Sequence, residues 1–262
     1  MSADTNKTIE EIIQHKKRAI RQINNLMESY ISSNDPDLLK KTDLLSYWIE
    51  TYTQYISSEN TFEPSKLIRY RRGDVLRVNF GFRIGHEIGG LHFAVVLDKN
   101  NAHNASVITV IPLSSTDGRT IHPENVDLGV ELYTKATNRQ AVLKQQALED
   151  LAEITSFIEL MKASGVGNSA KDQKVHDAMQ NIYKKQDHLN KLLKNVNNNS
   201  KELQKMKSGS MAIINQITTV SKQRIYTPKK SEDFLYNVSL SDTAMDKINE
   251  KIISRIIYKK PH

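Results

Sequence analysis

Residues 71–100 read "RRGDVLRVNFGFRIGHEIGGLHFAVVLDKN", and this stretch decides the fold. Two short apolar runs, "VLRVNF" and "LHFAVVL", flank a glycine-rich turn. Runs of this length, rich in β-branched and aromatic residues and bounded by Gly, Asp and Asn, predict consecutive strands rather than helices. No helix follows the glycines, so the turn cannot aim backbone amides at a phosphate from a helix N-terminus. His92 stands at the entrance of the second strand. Whether it is a chemical group or an incidental polar residue depends on what the rest of the chain builds around it.

Further β-rich runs follow at "VITVIPLSS" (107–115), "ENVDLGVEL" (124–132) and "MAIINQITTVSKQRI" (211–225). Their spacing predicts a small antiparallel barrel or curved sheet, not a βαβ fold. Between the last two runs the pattern turns helical. Leu148, Leu151, Ile154, Ile158 and Met161 form one stripe, and Val175, Met179, Ile182, Leu189, Leu192 and Val196 form another. "KASGVGNSAKD" (162–172) separates them, with Ser169 and Asp172 able to cap the second helix, and "NVNNNS" (195–200) is expected to end it. The result is a coiled-coil-like hairpin of about 35–40 Å at ~1.5 Å per residue. Residues 134–208 carry 13 Lys/Arg against 8 Asp/Glu, so most of the chain's +7 excess lies here, as a solvated face or as an arm for a polyanionic backbone.

Residues 8–58 predict a two-helix hairpin. "TIEE" at 8–11 has the form of a capping box, and Asp35 followed by Pro36 starts the second helix. "SLSDTAMDKINEKIISRI" (239–256) predicts a final helix capped by Ser241. The expected fold class is therefore α+β. A helical hairpin (1–66) precedes a barrel with a C-terminal helix (67–133 plus 209–262), which a helical insertion (134–208) interrupts.

Composition removes several chemistries. The 262 residues include no cysteine, which excludes disulfides, thiolate catalysis and Cys-ligated zinc. The eight histidines show no ligand spacing and there is no His-Glu-x-x-His, so no metal or other cofactor is expected. No nucleophile elbow occurs. The N-terminus lacks the apolar core of a signal peptide, and no apolar run approaches the roughly 18 residues of a membrane span. A soluble, cytoplasmic protein is expected. What remains is a set of polar residues at strand ends: His92, Ser114 and Ser115, with Arg83, His86 and Glu87 in the intervening turn. In a curved sheet these ends converge. A histidine exchanges protons near neutral pH, an arginine offsets charge on phosphate oxygens, and a hydroxyl hydrogen-bonds to them. In RNA the 2′-hydroxyl is the nucleophile, so such a cleft needs neither a protein nucleophile nor a metal.

The blocks "RRGDVLRVNFGFRIGHEIGGLHFAVVLDKN", "ITVIPLSS" and "SMAIINQITTVSKQRI" resemble the MazF/PemK family of type II toxin–antitoxin toxins. That family reads Arg-Gly-Asp-Val and a strand, then Gly-x-Glu-x-Gly-Gly and a Val-rich strand. A strand ending in Ile/Pro and Thr/Ser follows, and last a strand with Gln-Ile-x-Thr-Val/Ile-x-Lys-x-Arg-Leu/Ile. The resemblance spans 71–133 and 209–258. It implies a small SH3-like barrel, a homodimer, metal-independent cleavage of single-stranded RNA such as mRNA, and a cognate antitoxin over the RNA groove, or the chain's own helices in that role. The family's catalytic Arg falls on His92 and its catalytic Thr on Ser114; a further family Arg falls on Thr218. Serine keeps the hydroxyl. Histidine loses a permanent cation and a bidentate fork but gains proton exchange at neutral pH. The implied catalytic set is His92 as acid/base, Ser114 on the phosphate and Arg83 as the cation, with Arg77 able to share that role. Arg77, His86, Glu87, Ser115, Gln216, Thr218 and Thr219 support it or bind RNA. Two other readings stay open: a non-catalytic binding module for nucleic acid or protein, and a toxin with another target, such as a topoisomerase.

Overall fold

The computed structural model describes residues 7–163 and 173–257, and the chain divides after Thr61 into two compact units. The first is a helical hairpin, α1 (Ile9–Ser32) and α2 (Pro36–Ser58). Its ends are set locally, as the sequence predicts. The Thr8 hydroxyl accepts from the Glu11 amide at 3.3 Å while the Glu11 carboxylate accepts from the Thr8 amide at 2.8 Å, satisfying two otherwise orphaned donors. Asp35 accepts from the amides of Asp37 and Leu38, at 2.8 and 3.2 Å. Trp48 packs on Tyr52 and Tyr55, with ring centroids 5.5 and 6.4 Å away. No residue of α1 is buried, and in α2 the buried residue is Thr42.

The second unit holds a seven-stranded, wholly antiparallel sheet: β1 (Val75–Asn79), β2 (Leu91–Val96), β3 (Val107–Ser115), β4 (Val126–Gly129), β5 (Ser210–Ala212), β6 (Thr218–Ser221) and β7 (Ile225–Thr227). The order is β4-β5-β3-β2-β1-β7, with β6 also on β3. This is the expected α+β arrangement of antiparallel sheet and flanking helices. Its hydrogen-bonded ladder does not close into a ring, because β4 and β7 end the path. β3 is the central strand, and one of its edges is shared. β6 pairs with residues 107–110 and β5 with 113–115. The break falls at Ile111 and Pro112; a proline has no N–H to give a ladder, and its carbonyl instead accepts from the Ile213 amide at 3.0 Å.

Alternation along the strands buries both faces. Leu76, Val78, Ala94, Val96, Ile108, Val110, Val220 and Ile225 fill one core with Tyr70 and Phe80. Val75, Phe93, Val95, Ile111, Leu113, Val126, Leu128 and Ala212 face the other, which is closed by Phe234, Leu235, Met245 and Ile248 and by the helical arm. That arm consists of α3 (Glu131–Ala163) and α4 (Gln173–Gln204). Its root enters the larger core through Leu132, Ala136, Leu143, Val196, Leu203 and Met206.

α4 does not end at 195–200 as the composition suggests. Each Asn costs a helix at most about 0.7 kcal/mol, whereas a buried aliphatic side chain contributes about 1.5–3 kcal/mol, and Val196 and Leu203 are both buried. Gln140 fixes the same turn, donating to the Val196 carbonyl at 3.2 Å and accepting from the Ser200 hydroxyl at 3.2 Å. With 32 residues, α4 is about 48 Å long, longer than the sequence suggests. The caps expected at Ser169 and Asp172 lie outside the described residues. α5 (Asp242–Arg255) is capped by Ser241, whose amide and hydroxyl donate to Glu131 at 2.6 and 2.9 Å, joining the starts of α3 and α5.

Candidate functional site

The site is framed by the connection between β1 and β2. Phe80 N donates to Gly90 O at 2.8 Å and Gly90 N to Gly81 O at 2.7 Å, closing the neck of the loop. Gly89 has to be glycine, because a Cβ there would lie 2.8 Å from the Gly81 carbonyl oxygen. Gly90 sits at φ 78°, a region costly for other residues. Gln216, reaching in from the turn before β6, pins the loop from outside. Its side-chain oxygen accepts from the Ile88 amide at 3.3 Å, and its nitrogen donates to the His86 carbonyl at 3.4 Å. Arg83 turns back on the loop, donating through Nε to Phe80 O at 2.9 Å, with Nη1 3.8 Å from the exposed Glu87 carboxylate.

His92 follows this neck on β2, opposite Val78 of β1. The β2–β3 register pairs Phe93 with Leu113; carried one residue further, it sets Ser114 opposite His92 on the same face. Both residues are half-buried. The Ser114 hydroxyl makes a 3.5 Å contact with the Ser115 carbonyl, at the weak limit of a hydrogen bond, so its proton is available to a better acceptor. Ser115 is engaged elsewhere, donating to Asp117 at 2.7 Å.

On the opposite face, next to this pair, lies Arg77. Its side chain is 8% exposed and sits near two aromatic rings, with its guanidinium carbon 5.5 Å from the Phe93 centroid and 5.6 Å from that of Tyr226. Nη2 reaches the Glu202 carboxylate of α4 at 3.4 Å, while the buried Nε has no hydrogen-bond partner. Burial pulls this guanidinium below its usual range, and Glu202 and Tyr226 push it back. Glu202 also holds Lys205, one turn further along, at 2.9 Å.

Burial, more than these charges, sets the state of His92. Burial is the largest influence and lowers its pKa below 6.5. Backbone groups of Gly89 and Leu113 oppose the shift, and the positive charges of Arg77 and Lys205 add to it. The imidazole is thus neutral at pH 7, the state a proton acceptor needs.

Some of the sequence-expected residues meet here and others do not. The register sets His92 and Ser114 on one face and Arg77 on the other, and Arg83, His86, Glu87 and Gln216 build or pin the loop that leads into His92. Thr218 and Thr219 lie opposite Val110 and Thr109, about 13 and 16 Å along β3 from Ser114 at ~3.3 Å per residue. There the Thr219 hydroxyl lies 3.1 Å from that of Thr109. Sequence reading missed Glu202, Lys205 and Tyr226. The first two form an i,i+3 pair in "KELQKMK" that looks like any solvated helix face, and their importance comes from where the root of α4 docks.

Among the described residues, no group of three or more His, Asp or Glu could hold a metal ion, and no helix is long and apolar enough to cross a membrane. No curated protein matches the chain. A family model, that of the PemK-like, MazF-like toxins of type II toxin–antitoxin systems, matches residues 71–162. The matched segment runs from the start of β1 almost to the end of α3 and carries His92, Ser114, Arg77, Arg83 and the glycine loop. Over these residues the chain is similar to the PemK-like, MazF-like toxins of type II toxin–antitoxin systems.

Proposed function

We propose that the protein is a toxin-type endoribonuclease that cleaves single-stranded RNA without a metal. The observation that carries this reading is the placement of His92, its pKa lowered, opposite the weakly engaged hydroxyl of Ser114, beside a rigid glycine loop. Neutral His92 takes the proton of the 2′-hydroxyl. The 2′-oxygen attacks phosphorus, the bond from phosphorus to the 5′-oxygen breaks, and the leaving oxygen takes up a proton. The products are a 2′,3′-cyclic phosphate and a 5′-hydroxyl. Ser114 donates to a non-bridging phosphate oxygen. Arg83 supplies positive charge at the rim of the loop and Arg77 from beneath the sheet. The family supports a homodimeric toxin restrained by a cognate antitoxin.

The test is cleavage of single-stranded RNA in EDTA by purified protein, with analysis of the product ends. Cyclic phosphate ends, lost in His92→Ala, are expected. A second reading is favoured by one observation: two positions at which the family carries arginine hold His92 and Thr218. A binding module on the same scaffold would retain RNA or protein partners while cutting nothing, and that result would replace the nuclease reading.

A further inference from the structure

A second cluster of polar groups stands at the other end of β2. Gly73 N donates there to Val96 O at 2.9 Å, about 13 Å along the strand from His92 at ~3.3 Å per residue. The cluster lines a cleft of about 640 Å³ that takes in Arg69, Arg71 and Arg72 and, from the segment before α5, Asn237 and Ser239. Three guanidiniums meet one carboxylate, that of Asp74. Arg72 is committed to the fold, donating to Leu97 O and to Asn249 Oδ1 of α5. Asp74 is turned to the main chain and accepts from the Arg71 amide at 2.7 Å. Arg69 and Arg71 are different. They flank Tyr70, which is 2% exposed and donates its hydroxyl to Pro228 O at 2.8 Å. Both arginines are exposed, and among the described residues neither side chain forms a hydrogen bond or an ion pair within 4 Å. The side chains of Asn237 and Ser239 likewise make no hydrogen bond among the described residues. The backbone beneath is already fixed: Ile68 N donates to Lys229 O at 3.2 Å and His103 Nε2 to Leu67 O at 2.6 Å. Little of it remains to be ordered when an anion arrives.

The chemistry that fits is a run of phosphodiesters. A guanidinium presents a planar fork that matches phosphate oxygens, and amide and hydroxyl groups such as those of Asn237 and Ser239 are the neutral donors that position a nucleic-acid backbone. An acidic protein would need apolar or aromatic anchors as well. Here Leu67 and Ile68 pack against the inner core, and Tyr236 is half-buried with the Arg139 guanidinium 5.9 Å from its ring centroid. We infer that this cleft is a second nucleic-acid contact, in which Arg69 and Arg71 bind backbone phosphates of a single RNA strand away from His92. It goes beyond the nuclease reading and does not need it, since the contact is to the backbone and not to the scissile bond.

The experiment compares the full chain as wild type, Arg69→Ala, Arg71→Ala, the double alanine variant and the pair Arg69→Lys with Arg71→Lys. Lys144→Ala, on the exposed face of the arm, is the control for a general loss of charge. The probe is a single-stranded RNA of about 12 nucleotides, 2′-O-methylated so that it is not cut, and its binding is followed by fluorescence anisotropy across a salt series. Each arginine removed should weaken binding roughly tenfold, the worth of one charge-assisted contact, and lower the salt slope by about 0.7. The double alanine variant should lose about 1.4 of slope, and the lysine pair should keep the slope with part of the affinity. Urea melts should coincide with wild type, because neither side chain is bonded in the fold. No binding by wild type, or unchanged binding in the double alanine variant, overturns the inference. So does an equal loss of slope in Lys144→Ala, which makes the attraction diffuse. Loss of binding to a polyglutamate peptide with RNA binding intact also overturns it and gives the cleft to an acidic protein. Because the probe cannot be cut, a wild type that cleaves nothing fails the nuclease reading alone and leaves this result standing.

Discussion

Removing the helical arm should unfold the sheet or leave it intact depending on where the cut is made. Replacing 135–207 by a short Gly/Ser linker removes four large side chains from the main core: Leu143, Val196, Leu203 and Met206, all 7% exposed or less. At about 1.5–3 kcal/mol for each buried side chain, the loss is about 6–12 kcal/mol, an upper value because unfolded chains bury some of this surface already. Domains of this kind are stable by only about 5–15 kcal/mol. The short-linker protein should therefore be unfolded or molten, with its near-UV circular dichroism lost. Replacing only 151–187 by a turn keeps all four residues. Among the described residues, Ile158 is the one buried side chain it removes. That variant should keep a cooperative melt and lose about 3 kcal/mol or less. The assay is urea and thermal unfolding followed by circular dichroism. A 135–207 deletion that melts cooperatively near the wild-type midpoint would refute the reasoning and make the arm a true appendage.

Other expectations are more local. His92→Ala should lower the cleavage rate by about 10²–10⁴-fold, and the acid limb of the wild-type rate profile should lie below pH 6.5 and flatten in His92→Arg. Because the folded-state pKa of His92 is depressed, the unfolded chain binds that proton more readily. Its share of stability is therefore intact above pH 6.5 and lost as pH falls from 6.5 through the folded-state pKa; urea titrations of wild type and His92→Gln across pH 5–8 should show the difference. Gly89→Ala should force the loop away from Gly81 and reduce cleavage without unfolding the sheet, so wild-type turnover in that variant would remove the loop from the site. Deleting 1–61 should leave 62–262 folded, since both sheet cores lie within it; loss of the cooperative melt would contradict this.

The sheet was legible because its strands alternate, and alternation survives translation into two buried faces. The pairing of His92 with Ser114 was legible too, through the order of strand blocks shared with a family. The course of α4 was not. An asparagine-rich stretch reads as a stop, and only the docking of Val196 and Leu203 reverses it. The charge around His92 was hidden for the same reason. Arg77 could be named from its strand, but Glu202 and Lys205 come from a segment 125 or more positions further along the chain, and no local spacing links them. Arg83 shows the opposite limit. As a cation in the right turn it looks like a phosphate ligand, yet the backbone of that turn offers it a carbonyl at 2.9 Å.

The neck of the β1–β2 loop is held by main-chain atoms of Phe80, Gly81 and Gly90 and by the missing Cβ of Gly89. The side chain at position 92 meets this neck at the Gly89 backbone and takes no part in the main-chain hydrogen bonds that close it. The mouth of the site and the reagent placed in it are therefore inherited separately. A lineage can exchange the group at 92 and test a different acid–base chemistry while the mouth keeps its shape, but any change at Gly89 alters that shape at once. Drift in such a scaffold changes the catalyst before it changes the cradle.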